Sequence, residues 1–258
     1  MKALIGHTGF VGQSLKRQTT FDACYASGDI GTIAGQTFDL LVCSAAPAKK
    51  WIADREPEAD LANIEMLAGH LKTATAKQIV LISTVDVFAD CRGCDESSRV
   101  DEAGLSAYGR NRLWLERFVA DNFDHVLIVR LVGLVGPGLR KNALFDLHND
   151  NALQNIDARG RFQFYPMVNL WNDLTTARVH GLSLVHFVAE PVTVAEAAEH
   201  SFGRPFDNEL DRPPADYDLR TRHAALFGGH GDYLYSARES LLAISAYAQS
   251  EPHSQPVA

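Results

Sequence analysis

The chain has 258 residues, of which 46% are hydrophobic and 22% charged, and its formal net charge is −8. This length and composition are typical of one large α/β domain, alone or with a small lobe, and they supply enough apolar side chains for a sizeable core. The acidic balance argues against a nucleic-acid-binding protein, which would carry a basic face.

Other features of the composition predict a cytoplasmic protein without a membrane segment. The apolar run after Met1-Lys2 is only three residues long, so we expect no secretory signal, and no stretch approaches a transmembrane span. Four cysteines suit a reducing compartment. The lone Cys91-Arg-Gly-Cys94 has no second pair at zinc spacing, so we expect a loop there and no metal site.

A glycine-rich turn follows the first predicted strand, residues 3–5. Its pattern is Gly6-x-x-Gly9-x-x-Gly12, and helix-forming residues come next, which is the context this motif needs. Gly6 permits a tight turn, Gly9 lets the backbone approach a pyrophosphate, and Gly12 lets the helix pack close to the strand. The helix N-terminus would face the phosphate charge. The sequence therefore predicts a dinucleotide-binding turn.

Strands and helices alternate over the rest of the first half. Apolar runs and helical spacing predict strands at 23–26, 39–46, 78–84 and 125–132 and helices at 11–17, 57–74 and 105–121. Only about a dozen residues (27–38) separate the second strand from the third, so we expect one strand–helix unit to be trimmed. The alternation predicts an α/β fold with a Rossmann-like doubly wound parallel sheet.

The pattern loosens after residue 133. We predict a helix within 139–153, a strand at 161–165, a helix at 170–180, a strand at 184–188, a helix at 194–202, loops over 212–235 and a last helix at 236–249. The predicted organisation is a dinucleotide-binding Rossmann domain over 1–135, a small C-terminal substrate-binding lobe with return elements over 136–250, and a flexible tail over 251–258.

Two further motifs accompany the glycine turn: Leu81-Ile-Ser-Thr84-Val-Asp86-Val-Phe88 at a strand end and Tyr108-Gly-Arg-Asn-Arg112 at a helix start. The combination resembles the extended short-chain dehydrogenase/reductase superfamily, in particular its NAD-dependent epimerase/dehydratase branch, which acts on nucleotide sugars. The resemblance covers nearly the whole chain and is strongest over 1–142. It implies an NAD(P)-dependent enzyme that oxidises or reduces a hydroxyl or keto carbon of a nucleotide sugar.

The resemblance implies a catalytic role for four residues. Thr84 takes the place of the strand-end Ser/Thr that holds the substrate oxygen, and Tyr108 takes the place of the acid/base tyrosine in Tyr-x-x-x-Lys. A free phenol, with a pKa of about 10, is a poor base at neutral pH, and a cation one helical turn away favours the phenolate. Arg112 stands where the family has lysine, to support the tyrosine and a ribose, although a planar guanidinium does not reproduce the geometry of an ammonium group. Asp86 occupies the glutamate position of the dehydratases, but Val85 replaces their acidic partner, so Asp86 is either half of a dehydratase pair or a loop-capping residue.

Cofactor and substrate contacts follow from the same resemblance. The implied cofactor-binding residues are Gly6, Thr8, Gly9, Phe10, Val11, Gly12, Ser27, Ala45, Ala46 and Asn63. Tyr25-Ala-Ser27 lacks the acidic residue that marks NAD, and no arginine follows for a 2′-phosphate, so the cofactor is NAD or NADP with a slight preference for NADP. The implied substrate-binding residues are Asn142, Arg161 and Arg212, the two arginines because guanidinium groups suit the oxygens of a diphosphate.

Two alternatives stay open. The short C-terminal lobe is compatible with a ketoreductase of a small non-nucleotide carbonyl compound. Arg112 in place of lysine is compatible with a non-catalytic dinucleotide-binding protein.

A homodimer through the two long helices is compatible with the apolar stripe over 105–121, although any core-facing helix shows such a stripe. We expect no nucleic-acid or membrane partner.

Overall fold

The computed structural model describes residues 1–253. Its strands are β1 (Lys2–Ile5), β2 (Ala23–Tyr25), β3 (Thr37–Phe38), β4 (Leu40–Cys43), β5 (Thr75–Ala76), β6 (Ile79–Thr84), β7 (Val126–Leu131), β8 (Gly133–Val135), β9 (Arg161–Phe162), β10 (Phe164–Pro166), β11 (Leu184–Phe187) and β12 (Val192–Thr193). Its α-helices are α1 (Phe10–Gln18), α2 (Lys50–Arg55), α3 (Pro57–Leu71), α4 (Ala107–Asn122), α5 (Ala143–Asn149), α6 (Leu170–Val179), α7 (Val194–Phe202) and α8 (Ala237–Ser250).

The main sheet has six strands in the order β11-β7-β6-β4-β1-β2. β1 is parallel to β2 and to β4, β4 is parallel to β6, and β6 is parallel to β7. The chain therefore runs outward from β1 to β2, returns past β1 to β4 and continues in the other direction, which is the doubly wound order. This confirms the predicted Rossmann-like α/β fold.

The core of the sheet follows from its unbroken apolar strands. All four residues of β4 are buried, as expected for a strand covered on both faces. Leu41 and Cys43 of β4 belong to one apolar cluster with Ile64 of α3 and Leu115 of α4. Each fully buried side chain of this kind contributes about 1.5–3 kcal/mol relative to exposure, so this cluster holds α3 and α4 against the sheet.

The chain divides into two compact units. The first contains Met1–Asp90, Glu96–Leu131 and Leu170–His186, and the second contains Cys91–Asp95, Val132–Asn169 and the chain from Phe187 onward. The sequence predicted a single division after residue 135. The observed units are interleaved instead, because the chain returns to the first unit through α6 and β11, and β11 lies beside β7 in the sheet.

The second unit is built around short elements. β8 pairs with β10 in parallel, and β9 pairs with β12 in antiparallel orientation. A small apolar cluster contains Leu147 of α5 with Val194 and Ala198 of α7. Complete capping boxes begin α7 and α8, where the N-cap hydroxyl and a glutamate three residues later bond each other's backbone N–H groups.

Most predicted elements are present, including the short connection after β2, and one helix was not predicted. The connection between β2 and β4 holds only a 3-10 turn, Ile30–Ile33, and the two-residue β3, so the predicted trimming of this unit is confirmed. Helix α2 was not predicted. Within the predicted tail, His148 Nε2 lies 2.9 Å from the carbonyl oxygen of Glu251, and residues 254–258 lie outside the described part. Over residues 1–253, no helix is both long and apolar enough to cross a bilayer.

Candidate active site

The turn after β1 requires glycine at its first and last positions. Gly6 has φ +86°, and a Cβ there would lie 2.7 Å from the carbonyl carbon of Ser44. A Cβ on Gly12 would lie 2.2 Å from the carbonyl oxygen of Gly6. The protein's own backbone therefore excludes a side chain at both positions, because α1 packs directly onto the turn.

The middle glycine is different, because the protein has room for a side chain there. Gly9 has φ −74°, and a Cβ would contact only the carbonyl oxygen of Gly6, at an ordinary 3.5 Å. Gly9 begins α1 without a side-chain cap, and the first turn of that helix contains no acidic residue. A helix N-terminus without a side-chain cap presents backbone N–H groups and the positive end of the helix dipole. These residues fit the pyrophosphate of a dinucleotide.

The other predicted cofactor residues lie at this turn or near the ends of neighbouring strands. Thr8 is exposed, Phe10 and Val11 are half-buried at the start of α1, Ala45 and Ala46 are half-buried after β4, Ser27 is exposed after β2, and Asn63 is exposed on α3. Asp29 follows Ser27 by two residues, but its carboxylate accepts a hydrogen bond from the N–H of Ala26 at 2.6 Å. The nearby carboxylate thus caps its own turn.

Thr84 lies at the same edge of the sheet as the glycine turn. Ile5 pairs with Cys43, and Cys43 pairs with Leu81, so β1 and β4 end together while β6 continues three residues further, to Thr84, at the same carboxyl edge. Neighbouring strands are about 4.8 Å apart, so about 10 Å across the sheet separates β1 from β6. This is the edge at which parallel α/β sheets bind ligands.

Tyr108 lies beside Thr84 because α4 closely approaches the end of β6. A side-chain hydrogen bond joins the two hydroxyl groups. A Cβ on Gly109 would lie 2.1 Å from the carbonyl oxygen of Asp86, so the residue after the tyrosine must be very small. The backbone N–H of Tyr108 donates to Oδ1 of Asp54 at 2.9 Å. These contacts hold the phenol at the sheet edge.

The surroundings of Tyr108 favour the protonated phenol. Burial is the largest effect and raises the pKa of Tyr108 above its usual value, and the Asp86 carboxylate also raises it. The Arg112 guanidinium, the hydrogen bond to Thr84 and the Lys50 ammonium act in the opposite direction. The net pKa is raised, so the phenol carries its proton at neutral pH and is able to donate it.

Arg112 lies in the interior and not at the surface of the site. Only 2% of the residue is exposed. Its terminal nitrogens donate to both carboxylate oxygens of Asp60, one at 2.9 Å, and to the carbonyl oxygen of Pro47. The guanidinium carbon lies 3.9 Å from the centre of the Tyr108 ring. Protein acceptors thus occupy the terminal nitrogens, and the contact of Arg112 with a ribose stays a prediction.

The structure adds a cation that sequence reasoning missed. Lys50 Nζ lies 2.8 Å from Oδ1 of Asp86, while the backbone N–H of Asp86 donates to Oγ1 of Thr84 at 3.1 Å. Asp86 is therefore joined to Lys50 on one side and to Thr84 on the other. The available signal was the Lys49-Lys50 pair shortly after a strand that ends at this edge of the sheet. Asp54 and Asp60, which hold Tyr108 and Arg112, carried no recognisable pattern.

The predicted substrate residues all belong to the second unit. Asn142 caps α5: its Oδ1 accepts from the N–H groups of Leu144 and Phe145, and its Nδ2 donates to the carbonyl of Leu134 at 2.9 Å. Arg161 is exposed and pairs with Asp216 at 2.9 Å. Arg212 is exposed. The side chains of Asn142 and Arg161 thus already have protein partners.

No metal centre is evident in the part of the chain that the structure describes. Within residues 1–253, no group of three or more His, Cys, Asp or Glu side chains is placed to hold a metal ion. Cys91 and Cys94 are both of intermediate exposure and are not joined by a disulfide.

Comparison with solved structures shows that other proteins share this fold. The chain is similar to a dTDP-4-dehydrorhamnose reductase from Clostridium acetobutylicum, with 19% identity, coverage of 96% of this chain and 99% of the other, and a TM-score of 0.71. It is also similar to RMD from Pseudomonas aeruginosa in complex with NADPH, with 16% identity, coverage of 97% and 100%, and a TM-score of 0.70. A third similar structure is a UDP-galactose 4-epimerase, with 16% identity, coverage of 96% and 98%, and a TM-score of 0.70.

The similarity lies in the fold. No protein-family model and no curated protein matches the sequence. The solved structures share the fold over nearly their whole lengths at identities below 20%. The class that these comparisons define is a Rossmann-fold protein of the architecture used by reductases and epimerases of nucleotide sugars.

Proposed function

We propose that this protein is an NAD(P)-dependent oxidoreductase that acts on a hydroxyl or keto carbon of a nucleotide sugar, and that it works as a reductase of the keto form. The observation that carries this proposal is the buried Tyr108, hydrogen-bonded to Thr84 at the same sheet edge as the glycine turn, with burial raising the pKa of its phenol. A phenol held in its protonated form is suited to give a proton to a developing alkoxide.

The roles of the two hydroxyl groups follow from their positions. The dinucleotide would supply the hydride that reduces the keto carbon. Thr84 would hold the keto oxygen by a hydrogen bond, and Tyr108 would donate its proton to that oxygen as negative charge develops on it. The product is then a hydroxyl group, and Tyr108 is left as a phenolate that must recover a proton from water.

The cofactor side of the proposal rests on the uncapped N-terminus of α1 and on the end of β2. The space at Gly9 and the uncapped α1 suit a pyrophosphate. A carboxylate free to bind the ribose hydroxyls would favour NAD, but Asp29 is bonded to its own turn and Ser27 is exposed. This favours NADP, and the similar RMD structure contains NADPH.

The substrate class rests on the solved structures with this fold, which include enzymes named for dTDP- and UDP-sugars. A second candidate is a ketoreductase of a small non-nucleotide carbonyl compound. The observation that favours it is in the second unit, where Asn142 caps a helix and Arg161 pairs with Asp216. Arg161→Ala separates the two, because it should weaken binding of a nucleotide sugar and leave reduction of a small ketone unchanged.

We also propose a cytoplasmic homodimer. None of the four cysteines forms a disulfide, which suits a reducing compartment. Met66 on α3 is 57% exposed and Trp114 on α4 is 38% exposed, with the Trp114 ring stacked on Phe118 at 5.6 Å. Exposed apolar side chains on these two helices support the interface that the resemblance implies.

The first experiment identifies the dinucleotide. The purified protein is denatured, and released NAD or NADP is measured by mass spectrometry. An empty protein that then binds NADPH reversibly supports the reductase, whereas tightly retained NAD favours a cycle that regenerates its own cofactor. Failure to bind either dinucleotide would overturn the proposal.

The second experiment tests the role of Tyr108. Tyr108→Phe should lower reduction of keto nucleotide sugars by about 10³-fold, because it removes the proton donor, and should leave NADPH affinity within about twofold. Tyr247→Phe is the matched control: it removes another buried phenol, in α8, and should keep full turnover. Full turnover in Tyr108→Phe would contradict the assignment.

A further inference from the structure

The proposed reaction leaves a buried phenolate on Tyr108, and such an anion requires a nearby cation. Arg112 stands one helical turn after the tyrosine, but Asp60 neutralises its guanidinium at both terminal nitrogens. Burial of the pair strengthens this attraction. Arg112 therefore acts on Tyr108 from within a buried ion pair, and it lowers the pKa of the phenol together with Lys50.

Helix α2 brings a second cation to the same place. Lys50 and Asp54 lie one helical turn apart on α2 and therefore share a face of it. Asp54 accepts from the backbone N–H of Tyr108 at 2.9 Å, and Lys50 lies 2.8 Å from the Asp86 carboxylate. One face of a short helix thus contacts both the start of α4 and the segment that follows Thr84.

Arg112 holds the segment that carries this helix. Its guanidinium donates to the carbonyl of Pro47, three residues before Lys50, and to Asp60, which lies beyond the end of α2. The amide of Asn111 donates to Pro57 O at 3.2 Å and to Asp60 at 2.8 Å. Residues of α4 therefore fix both ends of the segment from 47 to 60.

We propose that Lys50 supplies, from α2, the ammonium charge that supports the acid/base Tyr108, and that Arg112 is a positioning residue for the segment that carries Lys50. The catalytic part of this proposal rests on the proposed function. The effect of Lys50 on the ionisation of Tyr108 is a property of the protein without cofactor or substrate. A lysine one turn after the tyrosine would supply the positive charge and hold its own position. Here the exposed Lys50 supplies the charge, and the buried Arg112 holds the segment that carries it.

The charges that face Tyr108 come from each element packed against it. Arg112 lies on the same helix, Asp86 follows β6, and Lys50 and Asp54 lie on α2. Lys50 acts in two ways, because it attracts the phenolate directly and also balances the repulsion from Asp86. Loss of Lys50 should therefore make ionisation of Tyr108 harder.

The test reads the ionisation of one phenol without any turnover. Tyr108 is replaced by a fluorinated tyrosine, whose phenol ionises at lower pH while Lys50 is still charged, and its titration is followed by fluorine NMR. Lys50→Met should raise the titration midpoint by roughly 0.5–1 pH unit. Lys50→Arg, which keeps the charge, should stay within about 0.2 pH unit of the parent.

The matched control is Lys49→Met, which removes the same charge from the exposed neighbouring residue. It should move the midpoint by less than about 0.2 pH unit. An unchanged midpoint in Lys50→Met, or an equal change in Lys49→Met, would overturn the role of Lys50. Intact helix signals in circular dichroism accompany each variant, and exposed Lys50 is a site where substitution leaves the core untouched.

The positioning role of Arg112 has its own readout. Arg112→Lys keeps a charge but cannot donate to Asp60 and Pro47 with one planar group. In that background the effect of Lys50→Met on the midpoint should fall to half or less, because the segment is no longer held. A full-sized effect there would overturn the positioning role. None of these measurements needs a substrate, so a failed search for turnover would count against the proposed function only.

Discussion

The glycine turn and the tyrosine cluster lie at one edge of the same sheet, but they are built in different ways. The turn is made by the backbone: the carbonyl oxygen of Gly6 excludes a side chain at Gly12, and a positive φ and the backbone of Ser44 exclude one at Gly6. The tyrosine cluster is made by side chains from α2, the end of β6 and α4. The turn is therefore fixed by backbone atoms and recognisable from the glycine spacing, whereas the tyrosine cluster depends on which side chains the fold brings together.

This difference bears on one departure from the expected pattern, Arg112 in place of lysine. Replacement of lysine by Arg112 changes a residue whose partners come from Pro47 and Asp60, far away in the sequence. Another residue that lies at the same place can compensate for a change in one charge. No side chain can compensate for a change at Gly12, because the atom that a Cβ would meet there belongs to the backbone.

The largest expected effect tests the side-chain site. Arg112→Met leaves Asp60 buried without its cation, and loss of one partner of a buried pair costs about 3–5 kcal/mol. Arg117→Met is the matched control on the same helix, because Arg117 and Glu102 are both more than half exposed. It should cost less than about 1 kcal/mol. Urea unfolding measures both variants, and equal losses would show that the Arg112 pair is not structural.

The next effect tests the backbone site. Gly12→Ala places a Cβ against the Gly6 carbonyl oxygen, and overpacking of this kind costs about 3 kcal/mol, of which the higher helix propensity of alanine returns about 1 kcal/mol. Gly69→Ala, in α3 with open space around it, should stabilise the protein by up to about 1 kcal/mol. If thermal unfolding showed the melting temperatures of both variants changing in the same direction, the expected difference between Gly12 and Gly69 would be contradicted.

A smaller effect separates binding from folding at the same turn. Gly9→Ala fits the protein, so the free energy of unfolding should change by less than about 0.5 kcal/mol. It fills the space proposed for a phosphate, so dinucleotide affinity should fall about tenfold, which corresponds to about 1.4 kcal/mol. Fluorescence titration with NADPH measures the affinity. Unchanged affinity would place the pyrophosphate elsewhere.

The smallest effect extends the comparison to alkaline pH. Burial raises the pKa of Tyr247 to about 12, with Glu251 and Asp146 adding to it. The unfolded chain loses this proton near pH 10 while the folded protein keeps it, so stability is complete below pH 10 and is lost as the pH rises from 10 to about 12. Tyr247→Phe should reduce that loss, as measured by urea unfolding at pH 8 and pH 11. An identical loss in the variant would contradict the raised pKa.

Much of the first unit could be predicted from short-range patterns. The strand, glycine turn and helix over residues 2–18 follow from an apolar run and three spaced glycines, and β4, β6 and β7 follow from buried runs of apolar residues. The missing helix between β2 and β4 followed from chain length alone. These predictions succeeded because each depends on neighbouring residues and on the geometry of parallel strands.

Other features escaped prediction because their causes are distant in sequence. Six-residue α2 is too short to show a clear helical period, and its position depends on the bond from Asp54 to Tyr108, 54 residues away. The roles predicted for Asn142 and Arg161 assumed free side chains, and only the fold of the second unit provides the partners that occupy them. The return of α6 and β11 to the first unit likewise depends on pairing with β7.

By itself, the sequence determines the doubly wound parallel sheet and the glycine turn, since both arise from local backbone sterics and from the periodicity of apolar residues. It also places Thr84 and Tyr108 at a strand end and a helix start. Only the tertiary structure decides which cation serves Tyr108, because Arg112 is paired with the buried Asp60, whereas the half-exposed Lys50 is paired with Asp86 beside Tyr108. Electrostatic roles depend on distance and burial in space, and no spacing along the chain contains that information.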